Sequence, residues 1–377
     1  MSEKRVAHLI LIKAFTRQNL PGGMPKNSSL EREVMRLLQE WEEERKGLLP
    51  VRSQIRYAEL QEQSNQQKGL LPLITEEKKA MESFSVYPSS LGPLEIRDDH
   101  GVLLGYRFRI PNKLLDTLTE STTLLPPTIA KGGAGGANIP GNFQCRHYAV
   151  WADYGSKYRE STELGRDREK GRAWLKANQG LFDYCSHQLR LLSPEQYVRL
   201  TGDVVKDMRW ATRKTETPLQ PLAGAWHGVV INQGMEGDES KGHQDFLDDK
   251  RLYNCVVPFG SGFGGGDLVL WQMKMRIGLH VGDGFLFYGA VVAHQVAPIT
   301  EGIRNSIDLF THASNFHLLE KHQEQAKKKK YPKKESKLRQ EAKNEKAKKE
   351  PENIKARRRI REGKMARQRA RGLESTM

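Results

Sequence analysis

The segment 243–312 constrains this chain more than any other, because it joins a tight residue spacing to a strand-and-turn rhythm. It opens on His243-Gln244-Asp245, carries His294 fifty-one positions later, and places Arg304 ten positions after that. Side chains on an extended segment alternate between faces, so His243 and Asp245 point the same way. His294 must then arrive from a separate strand folded back beside them. Between these residues short apolar runs alternate with Gly-containing turns: Leu252 to Phe259, Asp267 to Trp271, Gly284 to Tyr288, Ala290 to His294 and Ile303 to His312. That rhythm predicts a small antiparallel barrel or jelly roll.

Two histidines and one carboxylate form the facial triad that holds Fe(II) in non-haem oxygenases, with coordination positions left open. A lone His-x-Asp is common and usually structural; here strand context, a distal His and a later Arg coincide. Arg304, on the strand after His294, suits bidentate pairing with a carboxylate deep in the barrel. A dicarboxylate co-substrate such as 2-oxoglutarate would chelate the metal with its keto-acid end and anchor its other end there. Arg304, Ser306, Asp308, Phe310 and His312 share one face of their strand by the same alternation. The run Gly260-x-Gly262-x-x-Gly265 matches the dinucleotide fingerprint by letter only. A helix should follow it, yet Asp267 to Trp271 reads as a strand, so the match is accidental.

Outside this segment the chain is less regular. Ser28-x-x-Glu31 has the form of a capping box and opens a predicted helix that ends at Gly47. Further helices are expected over 51–64, 75–84 and most of 160–212, where Trp174, Tyr197 and Trp210 read as core. A hairpin is expected over 94–110, and the Gly-rich stretch 131–138 reads as a loop, either a linker or a cover for substrate. Cys145, Cys185 and Cys255 form no CxxC pair, which argues against a zinc knuckle or disulfide framework and fits a reducing compartment. The apolar run at residues 6–12 is too short to span a membrane. Net charge is +15, but residues 321–377 hold 22 Lys and Arg against 8 Asp and Glu. The body is thus nearly neutral and the tail is a low-complexity polycation. Its runs Lys327-Lys328-Lys329-Lys330 and Arg357-Arg358-Arg359 suit nucleic-acid phosphates and nuclear targeting.

The pattern His243-Gln244-Asp245…His294…Arg304 resembles the Fe(II)/2-oxoglutarate oxygenases, specifically the TET/JBP family of DNA base dioxygenases and its mushroom (Coprinopsis-type) TET-like branch. In a TET-like protist relative, the residue three after the ligand Asp and those sixteen and eighteen after the distal His hold the flipped base. Here these are Asp248, Phe310 and His312. The resemblance covers about residues 90–315. It implies an α+β chain with a double-stranded β-helix (jelly-roll, cupin-like) core at about 225–315, flanked by helices. The expected division is an N-terminal helical region 1–90, a dioxygenase domain 91–320 and the basic tail 321–377.

The resemblance also implies roles. His243, Asp245 and His294 would hold Fe(II), and Arg304 with Ser306 would bind 2-oxoglutarate. Phe310 would stack on the base while Asp248 and His312 read its edge, with Asn138 and Asn142 as candidate contacts from an upstream loop. The partner would be double-stranded DNA with methylated bases, the protein a nuclear monomer without a membrane anchor. Its reaction would take 5-methylcytosine to the hydroxymethyl, formyl and carboxyl forms, or demethylate N6-methyladenine. The alternatives are an oxygenase of the same barrel class acting on RNA or protein, and an inactive DNA-binding barrel. Two departures stand out. The Cys-rich zinc region of the animal TET enzymes has no counterpart here, and Asp248 has the wrong parity to join His243 and Asp245 unless the strand breaks.

Overall fold

The computed structural model describes residues 36, 39, 43, 46–65, 81–126, 143–152, 158–203, 221–316, 341, 345 and 357–363. The chain divides into two compact units, Met1–Leu319 and Glu320–Met377. In the first unit the strands are β1 (Leu49–Arg52), β2 (Ser85–Tyr87), β3 (Leu94–Arg97), β4 (Leu103–Arg109), β5 (Gln144–Ala152) and β6 (Tyr158–Glu160). They continue as β7 (Gly228–Met235), β8 (Asn254–Phe259), β9 (Phe263–Gly265), β10 (Leu268–Leu270), β11 (Met275–Ile277), β12 (Asp283–Phe287), β13 (His294–Val296) and β14 (Ile299–Phe310). The helices are α1 (Tyr57–Asn65), α2 (Asn112–Thr123), α3 (Thr162–Ala177), α4 (Gln179–Leu192) and α5 (Pro194–Val198).

Two sheets form the core. The large one runs β1-β3-β4-β12-β8-β14-β7-β5-β6, with β9 also pairing to β14; the small one runs β13-β10-β11-β2. From β7 onward the chain passes back and forth between them. β7, β8, β12 and β14 lie in the large sheet, while β10, β11 and β13 lie in the small one. The His243 segment joins the small sheet's edge through a bridge to His294. This is the jelly-roll winding expected from the strand rhythm. Every residue of β8 and β12 is buried, as strands covered on both faces require. Side chains from both sheets, Phe285 and Ile307 with Leu268 and Ile277 among them, share one apolar cluster. Arg107 ties the sheets at one end. Its buried guanidinium donates to the carbonyls of Gly92, Tyr87, Pro88 and Gly278 at 2.8–3.0 Å.

On β5 the alternation separates two environments. Tyr148 faces the helices, where its ring lies 5.9 Å from that of Trp174 and its hydroxyl donates to Asp167. His147 and Trp151, of opposite parity, face the other way. Trp174 is core as expected, and Tyr197 is partly buried; Trp210 lies outside the described residues.

Some elements differ from expectation. β1 replaces the start of the helix expected over 51–64, because Val51 pairs in parallel with Ile96. β2 pairs with β11, so the region 1–90 supplies strands to both sheets as well as helix. Between Tyr288 and Val292 the chain turns, Tyr288 O accepting from the amides of Val291 and Val292. The strand expected over 290–294 therefore begins only at His294. The helix expected to end at Gly47 is described only at residues 36, 39 and 43, which are helical, and the loop 131–138 lies outside the described residues.

His227, just before β7, is buried, with Nδ1 3.3 Å from Thr311 Oγ1 and Nε2 without a hydrogen-bond partner. Burial lowers its pKa to about 3, against roughly 6.5 for a solvated imidazole. The unfolded chain therefore takes up this proton as pH falls below about 6.5 while the folded chain refuses it, and stability drops through that window. Across it, His227→Gln should lose less stability than the wild type, by about 1.4 kcal/mol per pH unit. Urea melts of both proteins at neutral and mildly acidic pH check this; parallel curves would disprove it.

Candidate metal centre and substrate pocket

His243 and His294 meet through their own backbones. The amide of each donates to the carbonyl of the other, at 3.0 and 2.9 Å, which brings the rings to 4.3 Å between centroids. Both rings are oriented the same way. Nδ1 of His243 donates to Lys241 O at 2.7 Å, and Nδ1 of His294 to Val292 O at 2.9 Å. With the proton held on Nδ1, each Nε2 keeps its lone pair for a metal. Both point at Asp245, His243 Nε2 3.9 Å from Oδ1 and His294 Nε2 3.7 Å from Oδ2. One donor atom from each residue lies within 4.8 Å of the other two. These gaps exceed hydrogen-bond length and leave room for an ion among three donors of the type Fe(II) takes. Burial, and the neighbouring His294, lower the His243 pKa to about 4, so the ring stays neutral and ready to ligate.

Asn254 and Gly289 set the carboxylate. The Asn254 amide donates to Asp245 Oδ2 at 3.2 Å and to Asp248 Oδ2 at 2.9 Å. The Gly289 carbonyl accepts the Asp245 amide, and a Cβ on Gly289 would lie 2.6 Å from Asp245 Oδ2. The parity problem of Asp248 is resolved by a break. The chain turns after Asp245, with the Asp248 amide donating to Asp245 O at 2.8 Å, and Asp248 bridges to His312. Burial and the nearby Asp245 raise the Asp248 carboxyl well above the usual carboxylate range.

The inward face of the large sheet carries the remaining polar residues in rows. Register aligns Gly234 with Arg304, Asn232 with both Cys145 and Ser306, Val230 with both His147 and Asp308, and Gly228 with both Ala149 and Phe310. Arg304 is 1% exposed, its Nη1 3.4 Å from Ser306 Oγ while Nε and Nη2 have no hydrogen-bond partner. Burial lowers its pKa to about 10, opposed by Asp267, so it remains a cation. Phe263 of the Gly-rich β9 lies beneath the guanidinium at 5.5 Å, and Gly266 admits its stem where a Cβ would lie 2.7 Å from Cδ. An unpaired buried cation of this kind calls for an anion. The Phe310 ring occupies space that Gly228 leaves, since a Cβ there would lie 2.5 Å from the ring. His312 Nδ1 accepts from the Ser314 amide at 3.1 Å, which puts the ring proton on Nε2, and its ring lies 6.1 Å from that of Trp151.

The fold thus gathers His243, Asp245, His294, Asp248 and His312 around one turn, and places Arg304, Ser306 and Phe310 on one face of β14. Asn138, Asn142 and Lys327, Lys328, Lys329 and Lys330 lie outside the described residues. Arg357, Arg358 and Arg359 lie in the second unit, on an exposed helical stretch 357–363. Two pocket groups had no assigned role in the sequence reading. Asp308 has a buried Oδ1 without a hydrogen-bond partner, and burial, with Asp245 and Asp248, raises its carboxyl well above the usual range. His147 is held below the usual imidazole range by burial, with Glu163 and Asp245 acting the other way. Parity with Phe310 marked Asp308 as inward; nothing local marked His147.

No family model and no curated protein matches this chain. Among solved structures it is similar to NgTET1 in complex with 5mC DNA, at 18% identity and TM-score 0.45, over 66% of this chain and 92% of that one. It is also similar to OsALKBH1, at 13% identity and TM-score 0.31, over 55% and 96%. A third is a 2OG-Fe(II) oxygenase family oxidoreductase from Burkholderia pseudomallei, at 15% identity and TM-score 0.30, over 58% and 84%. At this depth of likeness, what those proteins bind stays with them.

Gly289→Ala should push the Asp245 carboxylate out of line and weaken Mn(II) binding by about 10–100-fold, the usual range for a group supporting a ligand. His243→Ala should abolish it. Calorimetric titration measures both; undiminished Mn(II) affinity in both variants would remove the metal centre.

Proposed function

We propose that this chain is an Fe(II)/2-oxoglutarate-dependent dioxygenase that oxidises the methyl group of a flipped methylated base in DNA. One observation carries the reading. Three metal-ready donors lie within 4.8 Å of one another, and a buried guanidinium with two unpartnered nitrogens sits on the same strand as Asp308, whose carboxyl interacts with Asp245. In this reading His243 Nε2, His294 Nε2 and Asp245 hold the iron, and Arg304, supported by Ser306, grips the distal carboxylate of 2-oxoglutarate. Bound iron supplies the activation of O₂. The balance is one methyl group, O₂ and 2-oxoglutarate to hydroxymethyl, CO₂ and succinate. On 5-methylcytosine further rounds give formyl- and carboxylcytosine. On N6-methyladenine the hydroxymethyl product can lose formaldehyde to leave adenine.

The rest of the pocket suits a planar base. Phe310 offers a stacking face, the Asp248 carboxyl a hydrogen-bonding group, and His312 an Nε2–H. Asn138 and Asn142 are further candidates for the base edge. A base in a duplex must leave the stack to reach them, at a cost of a few kcal/mol. The basic tail supports DNA as the polymer and the nucleus as the compartment, with the protein acting as a monomer of the mushroom TET-like kind. Among the described residues no helix is long and apolar enough to cross a membrane.

Nucleoside mass spectrometry tests this directly. Duplexes carrying 5-methylcytosine or N6-methyladenine, incubated with Fe(II), 2-oxoglutarate and ascorbate, should yield oxidised or demethylated base with wild type and none with His243→Ala. Iron uptake without product from either duplex would shift the substrate to RNA or protein. DNA binding without iron uptake would leave an inactive barrel.

Removing 321–377 should weaken duplex binding and flatten its dependence on salt, because Lys and Arg on phosphates release counterions. Affinity for 2-oxoglutarate should not change. Fluorescence anisotropy over a salt series measures the slope; an unaltered slope would show that the tail does not bind phosphate.

A further inference from the structure

The turn after the ligand Asp245 presents a side chain that the proposed chemistry leaves unused. Leu247 is 66% exposed, while Asp248 beside it is buried. The backbone there is fixed on every side. The amide of Asp245 donates to Gly289 O at 3.0 Å, that of Phe246 to Gln244 O at 2.9 Å and that of Asp248 to Asp245 O at 2.8 Å. Leu247's own carbonyl accepts from the Ala313 amide at 2.8 Å, and the Asp249 amide donates to Thr311 O at 3.1 Å. Leu247 is thus pinned to the residue after His312, two positions beyond a metal ligand and one before a pocket carboxyl. Trp151, half-buried, flanks the same histidine. A single exposed leucine is ordinary on a protein surface. This one is held outward by a turn that also carries Asp245 and Asp248.

We propose that Leu247 is a wedge that enters a duplex at the position vacated by the flipped base. This rests on the DNA reading above and adds to it a structural preference, duplex over single strand. A vacated position costs stacking energy, and apolar side chains on nucleic-acid-binding proteins insert between bases to occupy such gaps. A single strand has no paired stack to hold open. Leu247 therefore contributes to duplex substrates and is idle on single strands.

The test uses the full chain and one oligonucleotide sequence with a single methylated base, presented as a single strand and as a duplex. Leu247→Ala and Leu247→Gln should lower kcat/KM on the duplex by about tenfold, which is roughly 1.4 kcal/mol of transition-state stabilisation. On the single strand they should change it by less than about twofold. A second readout needs no turnover. With Mn(II) in place of iron, 2-aminopurine next to the target base should brighten on binding wild type and much less on binding Leu247→Ala. Equal losses on both strand forms would make Leu247 a pocket residue and overturn the wedge. No loss on either form, or equal 2-aminopurine signals, would also overturn it. If wild type oxidises neither form while binding metal, the DNA reading itself falls and takes the wedge with it.

Discussion

The reciprocal backbone hydrogen bonds between His243 and His294 are the constraint on which the rest depends. They join the His243 segment to the edge of the small sheet, where the Ser240 amide also donates to Val296 O at 3.1 Å, and they fix where the two rings meet. Once the backbones are paired, Nδ1 of each ring reaches the carbonyl two residues earlier, Lys241 O or Val292 O, and each Nε2 is left facing Asp245. The tautomers that a metal requires thus follow from backbone geometry. Gly289 is the counterpart on the carboxylate side. Its missing Cβ lets Asp245 approach, and Asn254 holds the carboxylate from the other direction.

That pocket carries an electrostatic load the fold accepts for a reason. Three carboxyls, Asp245, Asp248 and Asp308, interact in the interior, together with an arginine that lacks partners for two of its nitrogens. Burying such groups without compensation costs several kcal/mol each. Apolar side chains in their place would stabilise the fold more. The polar face is laid over β14 and β5, beside the large apolar cluster shared by the two sheets. A dication and a dicarboxylate would offset Asp245 and Arg304 together. At Asp248 and Asp308 burial and the neighbouring carboxylates raise the pKa instead, which favours the neutral form.

How much of this could be read from the sequence follows from the range of each interaction. The grouping of His243, Asp245 and His294 and the inward burial of Arg304 were readable because His-x-Asp spacing and strand alternation are local rules, and the distal His fell at a predicted strand edge. The inward row Arg304, Ser306, Asp308 and Phe310 followed from the same parity. Asp248 could not be placed that way. It reaches the pocket through a turn stabilised by its own amide and by Thr311, contacts that parity does not encode. His147 was hidden for a longer-range reason, since its row is set by β5 pairing with β7 more than eighty residues away. The strands at 49–52 and 85–87 were missed because short edge segments take their conformation from partners, β3 and β11, and carry little periodicity of their own.

The charge is divided unevenly between the two units. Residues 1–320 are close to electroneutral, so the pocket-bearing unit has little net field with which to attract a polyanion. Counterion release scales with the number of phosphates neutralised, and only the tail carries a surplus of cations large enough to supply it. Phosphate contacts position a protein without reading sequence, whereas contacts to a base specify. On the function proposed above, a polycation joined to a neutral pocket would allow encounter to be strong, fast and salt-sensitive while selection of the methylated base stays short-range. Asp248, His294 and Arg304 are buried, where salt screens them weakly. If the proposed function holds, ionic strength should thus move the encounter and leave the choice of base largely intact, which is the behaviour needed to search a long polymer of near-identical sites.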